Sequence, residues 1–219
     1  MDRPENRVIG HVVLSPPLGL LSVGEDRFTR DFAVIEVDTK KIDASNFIGN
    51  AIDLGTEYSV EKLTAWIPSF EFPGDRLLHF CGVLSTDQMR NPDPENVDSR
   101  GEPTTMVLKR GSATRLTVGC LNNIRSILRK PFETLAGEYS MEVAVLPRTS
   151  ESGAFSDGGD SGAAVVDGKG AVVGILTGGG GSSEVFDRTY VSHISFLLKC
   201  LEKYGYHANI FPVAANVFP

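Results

Sequence analysis

The chain of 219 residues and 23.6 kDa is 41% hydrophobic and 22% charged, with 23 glycines and 12 prolines, a composition that excludes a disordered or fibrous protein. A chain of this length buries about 70% of its unfolded surface, so it needs neither metal nor disulfide to form a core. Its formal charge of -7, from 21 basic and 28 acidic residues, argues against general affinity for nucleic acid or anionic membrane, because counterion release needs clustered Lys and Arg.

Cys81, Cys120 and Cys200 are odd in number, far apart and in no Cys-x-x-Cys spacing, so neither a disulfide framework nor a zinc site is expected. The first 25 residues hold no apolar run ending in a small-residue cleavage site, and a reducing, cytoplasmic location is the expectation. Apolar stretches are broken well short of the ~20 residues that cross a bilayer, which predicts no transmembrane helix.

In chain order, Val/Ile-rich runs predict strands at Arg7–Leu14, Asp31–Val37 and Leu77–Leu84. The polar stretch Thr86–Pro103 then predicts a linker or long loop, dividing the chain into 1–85, 86–103 and 104–219. Further strands are predicted at Thr104–Lys109 and Ser140–Leu146, and Val165–Val173 reads as a hairpin because Asp167-Gly168 suits a tight turn between β-branched runs. Gly178–Gly181 with Ser182 and Ser183 lacks the Gly-Lys-Ser/Thr ending of a phosphate-binding loop and predicts a flexible loop beside a cleft. The period then changes: Ile194, Leu197, Leu198, Leu201 and Tyr204 share one helical face, with Ser192 or Ser195 to cap and Gly205 to stop. Many short strands and one closing helix predict an all-β fold.

The sharpest chemical signal is Gly158-Gly159-Asp160-Ser161-Gly162-Ala163, in a loop after Ser152-Gly153-Ala154-Phe155-Ser156-Asp157. A serine needs a base, an orienting acid and amides aimed at the developing oxyanion to act as nucleophile, and flanking glycines let amides turn inward. The same residue types also dominate plain turns.

This loop, the Val165–Val173 hairpin and Gly174-Ile175-Leu176-Thr177-Gly178-Gly179 together resemble the nucleophile region of trypsin-like, or chymotrypsin-like, serine peptidases. Asp31-Phe32-Ala33-Val34-Ile35-Glu36-Val37 is similar to the strand carrying that family's catalytic aspartate. Lys109-Arg110-Gly111-Ser112-Ala113-Thr114-Arg115-Leu116-Thr117-Val118-Gly119 resembles a strand pair of some members, including intracellular fungal ones, with Arg115 in place of a glycine. The segments Leu14–Pro17 and Asp26–Asp31 look like fungal members too.

The resemblance implies a chymotrypsin-like double six-stranded β-barrel with an incomplete N-terminal barrel in 1–85, a linker in 86–103, and a C-terminal barrel and closing helix in 104–219. It implies Ser161 as nucleophile, Asp31 as orienting acid, and the amides of Gly159 and Ser161 as oxyanion hole. Thr177, Gly178 and Gly179 would pair with substrate backbone, while Phe155 and Ser156 would sit at the specificity pocket and favour small or apolar side chains. The implied partner is a peptide or protein substrate, without cofactor or metal.

The family's zymogens pair the Asp before the nucleophile, here Asp160, with a freed amino terminus; no such terminus is offered, so Asp160 must be satisfied otherwise and no proteolytic activation is expected. The base is the open position. His79 reads as structural or exposed, His193 as a cap or surface residue and His207 as exposed, leaving His11 alone before Asp31 in the family's chain order. His11 stands only 20 residues before Asp31, against about 45 in the trypsin-like template, so the chain holds either a displaced base or none. The expected function is a serine endopeptidase acting through an acyl-enzyme on Ser161; the alternative is a non-catalytic module that binds extended peptides by strand addition. An α/β-hydrolase is disfavoured because Gly-x-Ser-x-Gly and βα alternation are absent.

Overall fold

The computed structural model describes residues 8–23, 26–67, 70–129, 139–180 and 187–218. Arg7, at the start of the first predicted strand, and Gly181, Ser182 and Ser183 of the glycine-rich run lie outside the described residues.

The N-terminal part forms three two-stranded antiparallel ribbons. They pair β1 (Gly10–Leu14) with β4 (Val34–Val37), β2 (Gly19–Val23) with β3 (Asp26–Arg30), and β5 (Ala51–Asp53) with β6 (Leu77–His79). A short helix, α1 (Val60–Trp66), is capped by the Ser59 hydroxyl and buries Leu63. The predicted strand Leu77–Leu84 divides into β6 and β7 (Gly82–Val83), and β7 runs parallel to a strand of the C-terminal part.

Residues 104–219 build a closed six-stranded barrel from β8 (Thr105–Gly111), β9 (Arg115–Leu121), β11 (Tyr139–Pro147), β12 (Ala164–Asp167), β13 (Ala171–Gly180) and β14 (Arg188–His193). The order β11-β14-β13-β12-β8-β9 closes where β9 pairs with β11, and β10 (Ser126–Arg129) hangs from β11 as a hairpin partner. Closure pairs each barrel strand on both sides over part of its length. One closed barrel beside three two-stranded ribbons is the all-β fold expected from the sequence.

The predicted hairpin is β12 and β13, and its turn is held by Asp167, whose Oδ1 accepts the amides of Lys169 and Ala171 at 2.9 and 2.8 Å. Val107, Leu108, Val145, Val165, Val166 and Val173 are wholly buried on the two faces of the barrel wall, each worth about 1.5–3 kcal/mol. Phe28, Ile52, Leu54 and Leu63 from the N-terminal part belong to that same core.

The segment 86–103 is less irregular than its composition implies. It opens with α2 (Thr86–Arg90), fixed by a reciprocal capping box between Ser85 and Gln88, and buries Met89.

The closing helix α3 (Ile194–Lys203) packs Ile194, Phe196, Leu197 and Cys200 inward, and α4 (Ala214–Val217) follows near the end. Its cap is His193 rather than either predicted serine: Nδ1 accepts the Ser195 amide at 3.3 Å and Nε2 donates to the Leu84 carbonyl at 2.9 Å. Ser192 is already engaged inside the fold with the Thr29 carbonyl and Glu142. Gly205, at φ 83°, stops the helix as expected. Among the described residues no helix is long and apolar enough to cross a membrane, and no group of three or more His, Cys, Asp or Glu is placed to hold a metal.

Candidate active site

The loop carrying Ser161 leaves the core at Phe155 and re-enters it at Ala164, so its shape depends on what anchors the residues between. Asp160 is that anchor. Its carboxylate is buried and accepts from Lys109 Nζ at 2.9 Å, Thr114 Oγ1 at 2.6 Å, and the amides of Ala113 at 2.7 Å, Thr114 at 3.2 Å and Asp157 at 3.2 Å. Lys109 is itself wholly buried and also donates to Thr114 Oγ1.

Burial alone would raise the Asp160 pKa, but the Thr114 hydroxyl, the Lys109 ammonium and the backbone amides outweigh it and hold the carboxyl well below the usual range. Burial also draws Lys109 below its ordinary value, opposed by the Asp160 hydrogen bond and charge. The pair is ionised at neutral pH because each partner supplies the other's missing solvation.

The Lys109–Gly119 motif is thereby explained residue by residue. Gly111 leaves room for Asp160, since a Cβ there would lie 2.2 Å from Oδ1. Thr117 Oγ1 donates to the Phe155 carbonyl at 2.7 Å, and a Cβ on Gly119 would strike the Phe155 ring. Arg115, standing where the resemblance has a glycine, adopts φ 56° and still closes the β8–β9 turn. An internal lysine therefore satisfies Asp160 where an amino terminus was expected to be missing.

With Asp160 fixed, Ser161 stands exposed on a cavity of about 300 Å³, lined also by Ser156, Asp157, Gly158, Leu176, Gly178, Gly179, Gly180 and Asp187. Gly159 has φ 106°, and among the described residues the amides of Gly159 and Ser161 make no hydrogen bond, leaving both donors unused. Gly178, Gly179 and Gly180 pair with β14 alone, because the β12 partnership ends at Ile175. One backbone edge of β13 beside Ser161 is thus without a partner strand among the described residues.

Thr177 falls at a bulge between Leu176 and Gly178 and lines a separate cavity of about 110 Å³ with Glu142 and Tyr190. Ser156 lines the Ser161 cavity and shares a 2.5 Å hydrogen bond with Thr189. Phe155 does not line it: the ring is 1% exposed and lies in the core, 5.7 Å from Lys109 Nζ.

Neither Asp31 nor His11 lines the Ser161 cavity. Asp31 is exposed, ahead of β4, between Arg30, which donates to Tyr204, and Phe32, whose ring meets Tyr204 edge-on at 6.2 Å. His11 is exposed on the β1–β4 ribbon, 3.6 Å from Glu36. His79 lies 3.9 Å from Asp75, His193 caps α3, and His207 is exposed. Among the described residues no histidine lines the Ser161 cavity, and Ser161 Oγ has no hydrogen-bond partner.

Asp187 is the site residue that sequence reading missed. It follows the glycine-rich run, whose Gly178–Gly180 lie in strand β13 rather than in the loop predicted for them, with no motif around it, and only folding carries it to the Ser161 cavity. A larger cavity of about 630 Å³ adjoins, lined by Arg100, Cys120, Arg148 and Arg188 and sharing Asp187, but it lacks Ser161.

No family model matches the chain, and no curated protein matches it. Among solved structures it is similar to Cellulomonas bogoriensis chymotrypsin, with 20% identity and a TM-score of 0.33, over 46% of this chain and 47% of that one. It is also similar to Nocardiopsis protease, with 14% identity and a TM-score of 0.44, over 89% of each chain. Thermobifida fusca protease A gives 14% identity and a TM-score of 0.44, over 89% of this chain and 88% of that one.

Proposed function

We propose that this chain carries the nucleophile, oxyanion hole and peptide groove of a trypsin-like serine endopeptidase, with Ser161 as the residue acylated. The observation that supports this is the clamped Asp160: four residues converge on one buried carboxylate, and the loop they fix leaves the Gly159 and Ser161 amides without partners beside a reachable hydroxyl. In this reading Ser161 Oγ gives its proton to a base that joins the site, attacks the scissile carbonyl and is acylated as the peptide amine leaves with that proton, while the two amides hold the oxyanion and Gly178–Gly180 add the substrate as a further strand. Asp31 keeps the orienting role only if a histidine joins it to Ser161.

A second reading is favoured by one observation, that no histidine among the described residues lines the Ser161 cavity. In it the cleft binds an extended peptide by strand addition and releases it uncut. The two readings part on a fluorophosphonate probe, which labels only an activated serine. The folded chain is treated beside a Ser161→Ala control. Labelling that vanishes in the control supports the peptidase; a folded chain that stays unlabelled supports the binding module.

A further inference from the structure

The cavity at Ser161 is lined by glycines, two serines, one leucine and two carboxylates, Asp157 and Asp187, with no basic side chain on its wall among the described residues. The backbone amides of Phe155 and Arg188 lie toward the Asp187 carboxylate, yet its Oδ2 is sealed from solvent without a hydrogen-bond partner among the described residues. No described cation forms a salt bridge with it; Arg188, next in the chain, lines the adjoining cavity instead. Native folds rarely leave a buried carboxylate oxygen unmet, because desolvating a charge is costly unless a counter-charge replaces the water. Burial, with the like charge of Asp157 adding to it, raises the Asp187 pKa, as expected for a carboxylate lacking its cation.

We infer that the missing cation comes with the ligand: the cavity takes an arginine or lysine side chain of an extended peptide, and Asp187 selects it. This deepens the peptide-groove reading and rests on it. The cavity adjoins both Ser161 and the partnerless β13 backbone, so a peptide lying along Gly178–Gly180 would direct one side chain inward toward Asp187. The sequence pointed the other way, to small or apolar side chains, by placing Phe155 at the pocket. With the Phe155 ring turned into the core, that objection to a basic side chain is removed.

The test is calorimetric and needs no turnover. The full chain carrying Ser161→Ala is titrated with N-acetyl tetrapeptide amides identical but for a final Arg, Lys, norleucine or Glu. Norleucine matches the lysine stem without its charge. Arg and Lys peptides are expected to bind at least tenfold more tightly than norleucine, with Glu weakest. Adding Asp187→Asn should abolish that preference while a cooperative thermal transition persists, and Asp187→Glu should retain it. Equal binding of Arg, Lys and norleucine, or a preference that survives Asp187→Asn, overturns the role of Asp187 and leaves the groove standing. Binding of none of the peptides overturns both.

Discussion

Lys109 Nζ lies 2.9 Å from Asp160 Oδ2, and neither side chain is reached by solvent. Removing one partner strands the other as a buried charge, at a cost of about 3–5 kcal/mol. Lys109→Met and Asp160→Leu should each lower stability by that order in urea denaturation. The double variant should lose clearly less than the sum, because it leaves no orphaned charge.

The same pair sets an acid limb. The unfolded Asp160 carboxyl takes up a proton near pH 4, whereas the folded one resists it well below that. The unfolded chain therefore binds more protons as pH falls, so this contribution is complete above the unfolded value and lost toward the folded one. Thermal melts from pH 6 down to pH 2 should show a fall in Tm that is shallower in Asp160→Asn.

Arg115 holds φ 56° in the β8–β9 turn, a region unfavourable for a side chain with a Cβ. Its contact with Glu57, at 4.0 Å on the surface, contributes little in return. Arg115→Gly should raise stability by up to about 1 kcal/mol, measured by denaturant midpoint.

Gly178 has open space where a Cβ would be built, whereas a Cβ on Gly174, in the same strand, would lie 2.1 Å from the Ser192 carbonyl. Packing demands glycine at Gly174 but not at Gly178. Gly178→Val should leave Tm within a few degrees of the parent and weaken peptide binding at least tenfold; Gly174→Val should unfold the barrel.

Among the thiols, Cys81 is exposed while Cys120 and Cys200 are buried. Burial, with Asp98 adding and Arg148 opposing, pushes the Cys120 thiol up to about 11, and burial raises Cys200 as well. Iodoacetamide on the native chain should add one carbamidomethyl group by mass, and in urea all three.

Elements written by local chemistry were the legible ones. The Asp167-Gly168 turn, the helical spacing from Ile194 and the Gly-Asp-Ser-Gly loop each lie within ten residues, and each is found where its residues imply. Long-range pairings were not legible. Nothing near Lys109 marks it as the counter-charge of a residue 51 positions later, and nothing near Asp187 marks it as a cavity wall. His193 read equally as a cap or a surface residue, and the fold decides for the cap because Ser192, the better capping residue, is drawn away by Thr29 and Glu142. Helix α2 was hidden by composition: Met89 is its one buried residue, and only the Ser85 and Gln88 pair announced it.

Glu142, 1% exposed, accepts the amide of Thr29 at 2.8 Å across a separation of 113 residues, while Ser192 reaches both Glu142 and the Thr29 carbonyl. The backbone of Thr29, although it lies in a two-stranded ribbon, thus also reaches side chains of β11 and β14. The Thr29 amide is therefore hydrogen-bonded to Glu142 only while the β2–β3 ribbon lies against the barrel. Thr29 is a clasp between the two parts, and exchange of its amide proton reports whether the ribbon is docked.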